Sequence, residues 1–146
     1  MKLKDVLIID FVEIEANNFH LFVKVKVGKL SARLLLDTGA SKTVFDQTKI
    51  LRYIKEGSLT NMDGTSVGLG SKNVETQLAQ INCISFGKIK LKKVEVAAMD
   101  LSHVLQTYEL LNMKAIDGVL GSDLLYHLKA VINYEKHTLK IKSGYV

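Results

Sequence analysis

A chain of 146 residues, 47% apolar and 24% charged, carries enough hydrophobic material for a packed core and is of single-domain size, which excludes bulk disorder. No apolar run reaches membrane-spanning length, and Met1 to Asp5 leads into charged positions instead of a signal-peptide core, so one cytoplasmic domain over residues 1–146 is expected, with no membrane contact. The net charge is +5, and the one cysteine, Cys83, excludes an intrachain disulfide and is read as a small buried hydrophobe.

The pattern is mostly that of strands. Residues 6–15 read as a first strand, ended by the turn signal Asn17-Asn18. Residues 20–27 alternate apolar and basic side chains, the period of a half-exposed strand, and Gly28-Lys29 turns the chain back into residues 30–36. That second arm ends in Leu34, Leu35 and Leu36 and delivers a carboxylate into the tight segment Asp37-Thr38-Gly39-Ala40-Ser41. An acid at the end of a buried strand is costly unless it is hydrogen-bonded or paired. Catalysis is one explanation; an Asx-type turn, with Asp and Gly present for local geometry alone, is the other.

After this loop residues 43–45 are expected to be extended, and Asp46 is placed to cap a short helix running through Leu51 and Ile54. Residues 59–81 are punctuated by Gly64, Gly68 and Gly70, and the run around Gly68, Leu69 and Gly70 reads as the tip of a long hairpin. Asp63-Gly64-Thr65 is read as a plain turn. Residues 84–86 and 89–99 form a hairpin about Gly87-Lys88, with Val94, Val96 and Ala98 on one face. Apolar residues at helical spacing from Leu101 to Leu111 predict a helix over residues 101–112, assigned to packing. The segment Ala115-Ile116-Asp117-Gly118-Val119-Leu120-Gly121 then leads into a helix over residues 122–128, where Asp123 suits the helix dipole. Strands over residues 130–133 and 138–142, joined by a turn, complete the chain.

Lys88, Lys90, Lys92 and Lys93 cluster, but Ile89 and Leu91 alternate with them as in a strand with one wet face. With no aromatic platform or binding module beside them, no nucleic-acid partner is expected. The lysine excess favours acidic partners only in a salt-sensitive way. His20, His103, His127 and His137 lack ligand spacing and are read as surface or capping residues, so no metal site is expected.

The loop from Arg33 to Val44, read together with Ile116, Asp117 and Gly118, resembles the retropepsin-like aspartic proteases. Asp117 departs from the all-apolar form of that family's downstream motif. The resemblance implies a single-lobe acid-protease fold, a closed or partly open antiparallel β barrel with one or two short helices. It also implies an aspartic endopeptidase whose substrate is a peptide or protein and which needs no cofactor. One DTG loop is half a site, so a homodimer would supply the second Asp37. Within the family pattern Thr38 bonds across the two-fold axis, Gly39 permits the turn, Ala40 lies under substrate backbone, and Ser41 donates to the outer oxygen of Asp37. Gly68, Leu69 and Gly70 would sit in the flap that closes over the peptide. A non-catalytic domain of the same fold that binds an extended peptide or scaffolds a complex is the alternative.

Overall fold

The computed structural model describes residues 2–55, 57–61 and 76–143. Its strands are β1 (Lys4–Ile8), β2 (Asp10–Glu15), β3 (Asn18–Val27), β4 (Leu30–Leu36), β5 (Val44–Asp46), β6 (Thr60–Asn61), β7 (Gln77–Phe86) and β8 (Ile89–Met99), then β9 (Gly118–Leu120), β10 (Val131–Asn133) and β11 (Thr138–Lys142). Two helices, α1 (Ser102–Leu110) and α2 (Ser122–His127), flank β9 in sequence. Among the described residues no helix is long and apolar enough to cross a membrane.

Two long hairpins supply most of the wall. β3 pairs with β4 around Gly28, whose φ of 61° suits a residue without a side chain, and Val23, Val25 and Val27 point inward while Lys24 and Lys26 face water. β7 pairs with β8 around Gly87, where the Asp5 carboxylate accepts the Lys88 amide at 2.8 Å. The end of β3 then meets β7, and the ring β3-β4-β9-β5-β8-β7 closes into a six-stranded barrel. Its interior is filled by Leu34, Phe45, Ile81, Ile84, Phe86, Ile89, Val96 and Leu120, all buried. The fold is therefore the mostly β barrel expected, with one refinement: β4–β9 and β5–β8 are parallel pairs within an otherwise antiparallel wall.

Three readings differ from the sequence. Residues 6–15 form two strands, because the chain switches sheets at buried Ile9, whose amide donates to the His137 carbonyl at 2.9 Å. β1 pairs with β11, whereas β2 pairs with β3. The segment after Asp46 is a 3-10 turn, Lys49–Arg52, shorter than the helix expected, although Asp46 Oδ2 does accept the Thr48 and Lys49 amides at 3.1 Å. Cys83 is half-buried, its sulfur 3.9 Å from the Ser85 hydroxyl. The proposed flap tip at Gly68, Leu69 and Gly70, and the turn at Asp63-Gly64-Thr65, lie outside the described residues.

α1 is a packing helix, as its spacing suggested. Tyr108, with Val104 and Leu105 beside it, covers Phe22 and Ile116 in a small second core. Leu110, 84% exposed, lies on the other side.

β9 is threaded between β4 and β5 so closely that Gly118 has no room for a side chain: a Cβ there would lie 2.9 Å from Phe45 Cα and press on the Val44 carbonyl. Replacing Gly118 by Ala is expected to destabilise the fold by about 3 kcal/mol through overpacking against backbone. Urea denaturation of the purified variant checks this, and an unchanged midpoint would contradict the threading.

Candidate active site

The loop from Asp37 to Thr43 leaves the end of β4 and returns as β5, so its two arms straddle β9. Three ties hold it down. The Asp37 amide donates to the Leu120 carbonyl at 3.0 Å, the Ala40 amide closes a turn onto the Asp37 carbonyl at 3.2 Å, and the Ala40 carbonyl accepts the Ser122 amide at 2.7 Å. Gly121 allows this approach, since a Cβ on it would come within 2.8 Å of the Ala40 oxygen. The loop therefore rests on the β9–α2 junction, which explains why a motif eighty residues downstream belongs to the same site.

The returning arm is fixed by a buried polar relay. Thr43, fully buried, donates its hydroxyl to Asp123 Oδ1 at 2.8 Å and its amide to the same oxygen at 2.9 Å, while its Oγ1 accepts the Gly121 amide at 3.0 Å. Asp123 also accepts the Leu124 amide at 2.8 Å. The dipole position expected for Asp123 is correct but covers only part of its role, because it chiefly anchors the loop.

Asp37 itself is half-buried, and Thr38 and Gly39 are exposed. Among the described residues its carboxylate accepts one hydrogen bond, from the Gly39 amide to Oδ1 at 2.9 Å. Gly39 has no left-handed φ, and an added Cβ would lie 3.3 Å from that same oxygen, close enough to nudge the carboxylate. Ser41 is exposed and makes no hydrogen bond to Asp37, so the donor role expected for it is absent within one chain. Thr38 lines a depression of about 270 Å³ with Ser122, Leu125 and residues at the start of β10.

Ile116, Asp117 and Gly118 lie together beneath the loop. Ile116 is buried against Phe22 and Tyr108. Asp117 stands where the resemblance wants an apolar residue, and its surroundings explain the exception. Its Oδ2 accepts the Arg33 amide at 2.9 Å, its own amide donates to the Arg33 carbonyl at 2.8 Å, and the Arg52 guanidinium lies 3.8 Å from Oδ1. The side chain thus serves as an extra backbone-like acceptor between β4 and the strand entering β9. Burial first, and then the charge of Asp117, push the Tyr53 hydroxyl up to about 12.

A second depression, about 210 Å³, opens beside the carboxylate and is lined by Phe19, His20, Leu21, Leu35, Asp37 and Tyr134. His20 is neither a free surface residue nor a cap: its Nδ1 lies 2.8 Å from the Tyr108 hydroxyl. Tyr108 is buried, and that burial, opposed by Arg33 and reinforced by Asp37, raises its pKa, so the hydroxyl keeps its proton. Which atom donates in this bond is set by the imidazole tautomer. No local pattern in the sequence signals this pair, because it joins β3 to α1. His137 stacks on Phe11 at 3.9 Å, another role unread from spacing.

A closed six-stranded barrel whose loop sits on a strand-glycine-helix junction defines a single acid-protease lobe of retropepsin type. Residues 23–124 match the family model described as aspartyl protease, and the chain belongs to that family. Solved structures share the fold. A retropepsin-like aspartic protease from Rickettsia conorii has a TM-score of 0.59 at 14% identity, covering 98% of this chain and 91% of that one. The retroviral protease-like domain of Ddi1 from Leishmania major gives 0.54 at 15% identity, over 84% and 87% of the two chains. The EIAV protease, in complex with an inhibitor, gives 0.54 at 22% identity, over 77% and 90%.

Two outcomes test this geometry. Thr43→Val removes the hydroxyl that serves Gly121 and Asp123, and is expected to cost about 1–3 kcal/mol by urea denaturation, with Thr43→Ser retaining most of the stability. Because the Tyr53 pKa is raised from 10.0 to about 12, its stabilising contribution is complete below pH 10 and is lost as pH rises toward 12. Stability measured across that window should fall more steeply for wild type than for Tyr53→Phe; parallel curves would refute the assignment.

Proposed function

We propose that the chain is one half of an aspartic endopeptidase, completed when a second copy brings its own Asp37 to the two-fold axis. The observation that carries this reading is the state of Asp37. Its backbone is clamped to β9, yet the residue is only half-buried and, among the described residues, its carboxylate takes one hydrogen bond, at Oδ1. A carboxylate present only for turn geometry would have no need of such an anchored base. The exposed Thr38 beside it suits a contact between the two loops.

The chemistry follows from two such carboxylates side by side. Both cannot ionise cheaply at hydrogen-bond distance, so the pair holds one proton between them, as in aspartic proteases generally. The ionised Asp37 takes a proton from a water held between the two, and that water attacks the scissile carbonyl carbon. The protonated Asp37 gives its proton to the carbonyl oxygen, forming a neutral gem-diol. Collapse of the diol returns a proton to one carboxylate and breaks the C–N bond as the amine is protonated. No acyl-enzyme forms, and no Ser, His or Cys nucleophile takes part.

Asp37→Asn is expected to lower peptide cleavage by about a thousand-fold or more while leaving the circular dichroism spectrum unchanged. Cleavage of a denatured protein by the purified variant at the wild-type rate would sink the proposal. A statine-type peptide, whose hydroxyl replaces the attacking water, is expected to bind wild type more tightly than a plain peptide of equal length. Equal affinities would favour a peptide-binding domain without catalysis.

A further inference from the structure

We infer that the chain binds a small molecule bearing two or more phosphate groups in a cavity between the end of α2 and the outer face of the β1-β11-β10 sheet. The inference stands apart from the peptidase reading and makes no use of Asp37. The cavity holds about 690 Å³, within the range of small-ligand sites. Five lysines line it: Lys4 of β1, Lys140 and Lys142 of β11, and Lys2 and Lys129 beside them. Among the described residues no aspartate or glutamate does.

Register sharpens the crowding. Lys4 lies directly opposite Lys142 on neighbouring strands, and Lys140, two places along β11, shares the same exposed face. Like charges placed opposite one another destabilise a sheet, and none of the ion pairs among the described residues involves any of the five. The Lys129 ammonium has the face of the Tyr126 ring, 4.0 Å away, which is an attraction but no counter-charge.

A second observation is independent of charge. Ser143 lines the same cavity and is only 8% exposed. Its amide donates to the Leu3 carbonyl at 3.0 Å, and the Lys142 amide donates to the Leu128 carbonyl at 2.8 Å, so the backbone is fixed on both sides of the cavity floor. The Ser143 hydroxyl has no hydrogen-bond partner among the described residues. A buried hydroxyl without a partner is costly, and a donor set among ammonium groups suits an oxygen-rich anion.

Phosphate fits this set better than carboxylate. Each phosphate group carries about −1.5 to −2 charges near neutrality and three strong acceptor oxygens. Two such groups nearly balance five ammoniums, where about four carboxylates would have to crowd into the same volume. Lysine meets phosphate as a point charge and needs no planar fork. A second copy of the chain is a poor occupant, because a two-fold contact through this cavity would set lysine against lysine.

Inorganic tripolyphosphate is the probe, titrated into the full chain by calorimetry at fixed ionic strength. It is expected to bind once per chain and to raise the urea midpoint. Lys4→Gln combined with Lys142→Gln should weaken binding by about a hundredfold and Ser143→Ala by about fivefold. The same loss of charge on β8, by Lys90→Gln combined with Lys92→Gln, should change it by less than about twofold. Without the probe, the Lys4 and Lys142 substitutions should keep or raise the urea midpoint, since a repulsion is removed. Equal weakening by the β8 substitutions, or an unaltered affinity in Ser143→Ala, overturns the inference in favour of diffuse charge. An oligoglutamate peptide that binds as tightly as tripolyphosphate overturns it in favour of an acidic polypeptide. Retention on phosphatidylserine vesicles without tripolyphosphate binding overturns it in favour of a membrane surface, and a chain that ignores millimolar tripolyphosphate has no such site.

Discussion

Everything at the site depends on one steric constraint: β9 runs between β4 and β5 at backbone contact. Gly118 and Gly121 make that possible, because the space a Cβ would need is occupied by main-chain atoms of Val44 and Phe45 at the first and of Ala40 and Lys42 at the second. The constraint does two things at once. It closes the barrel, since β9 bridges strands that would otherwise splay, and it sets the height of the Asp37 loop, whose amides and carbonyls bond to the strand and helix below. A flexible loop could not hold a carboxylate in a fixed place; a loop seated on a strand can.

Polar groups finish what packing begins. Thr43 and Asp123 satisfy the Gly121 amide and the returning arm, and Asp117 satisfies the Arg33 amide. Thr43 and Asp117 are buried and Asp123 is half-buried, and each would be a liability without its partners. On the other flank His20 and Tyr108 solve the same problem for a buried phenol, and they bring α1 into the wall beside Asp37. The site is therefore carried by elements from four distant parts of the chain.

How much of this was legible in the sequence depended on range. Alternation in residues 20–27 and the Gly28 turn located the first hairpin because period and turn chemistry are local. The loop and the glycine motif were legible as a pair only because their compositions are unusual; why the glycines are there required the strand packed between them. The break at Ile9 was invisible, since switching sheets leaves both halves with strand-like composition. Ser41 was assigned a bond that one chain does not make, while the Thr43–Asp123 tie went unread because Thr and Asp are ordinary residues whose partnership exists only after folding. Asp117 looked like a departure and proved to be a substitute acceptor.

The pairing of β1 with β11 has a kinetic side. Nearly the whole described chain lies between Lys4 and Lys142, so this ladder carries the largest loop-closure cost among the described pairings. β10 takes its place in the sheet through β11. The two long hairpins of the barrel, by contrast, pair residues close in sequence, so the barrel wall and the small sheet differ sharply in the chain length each must close.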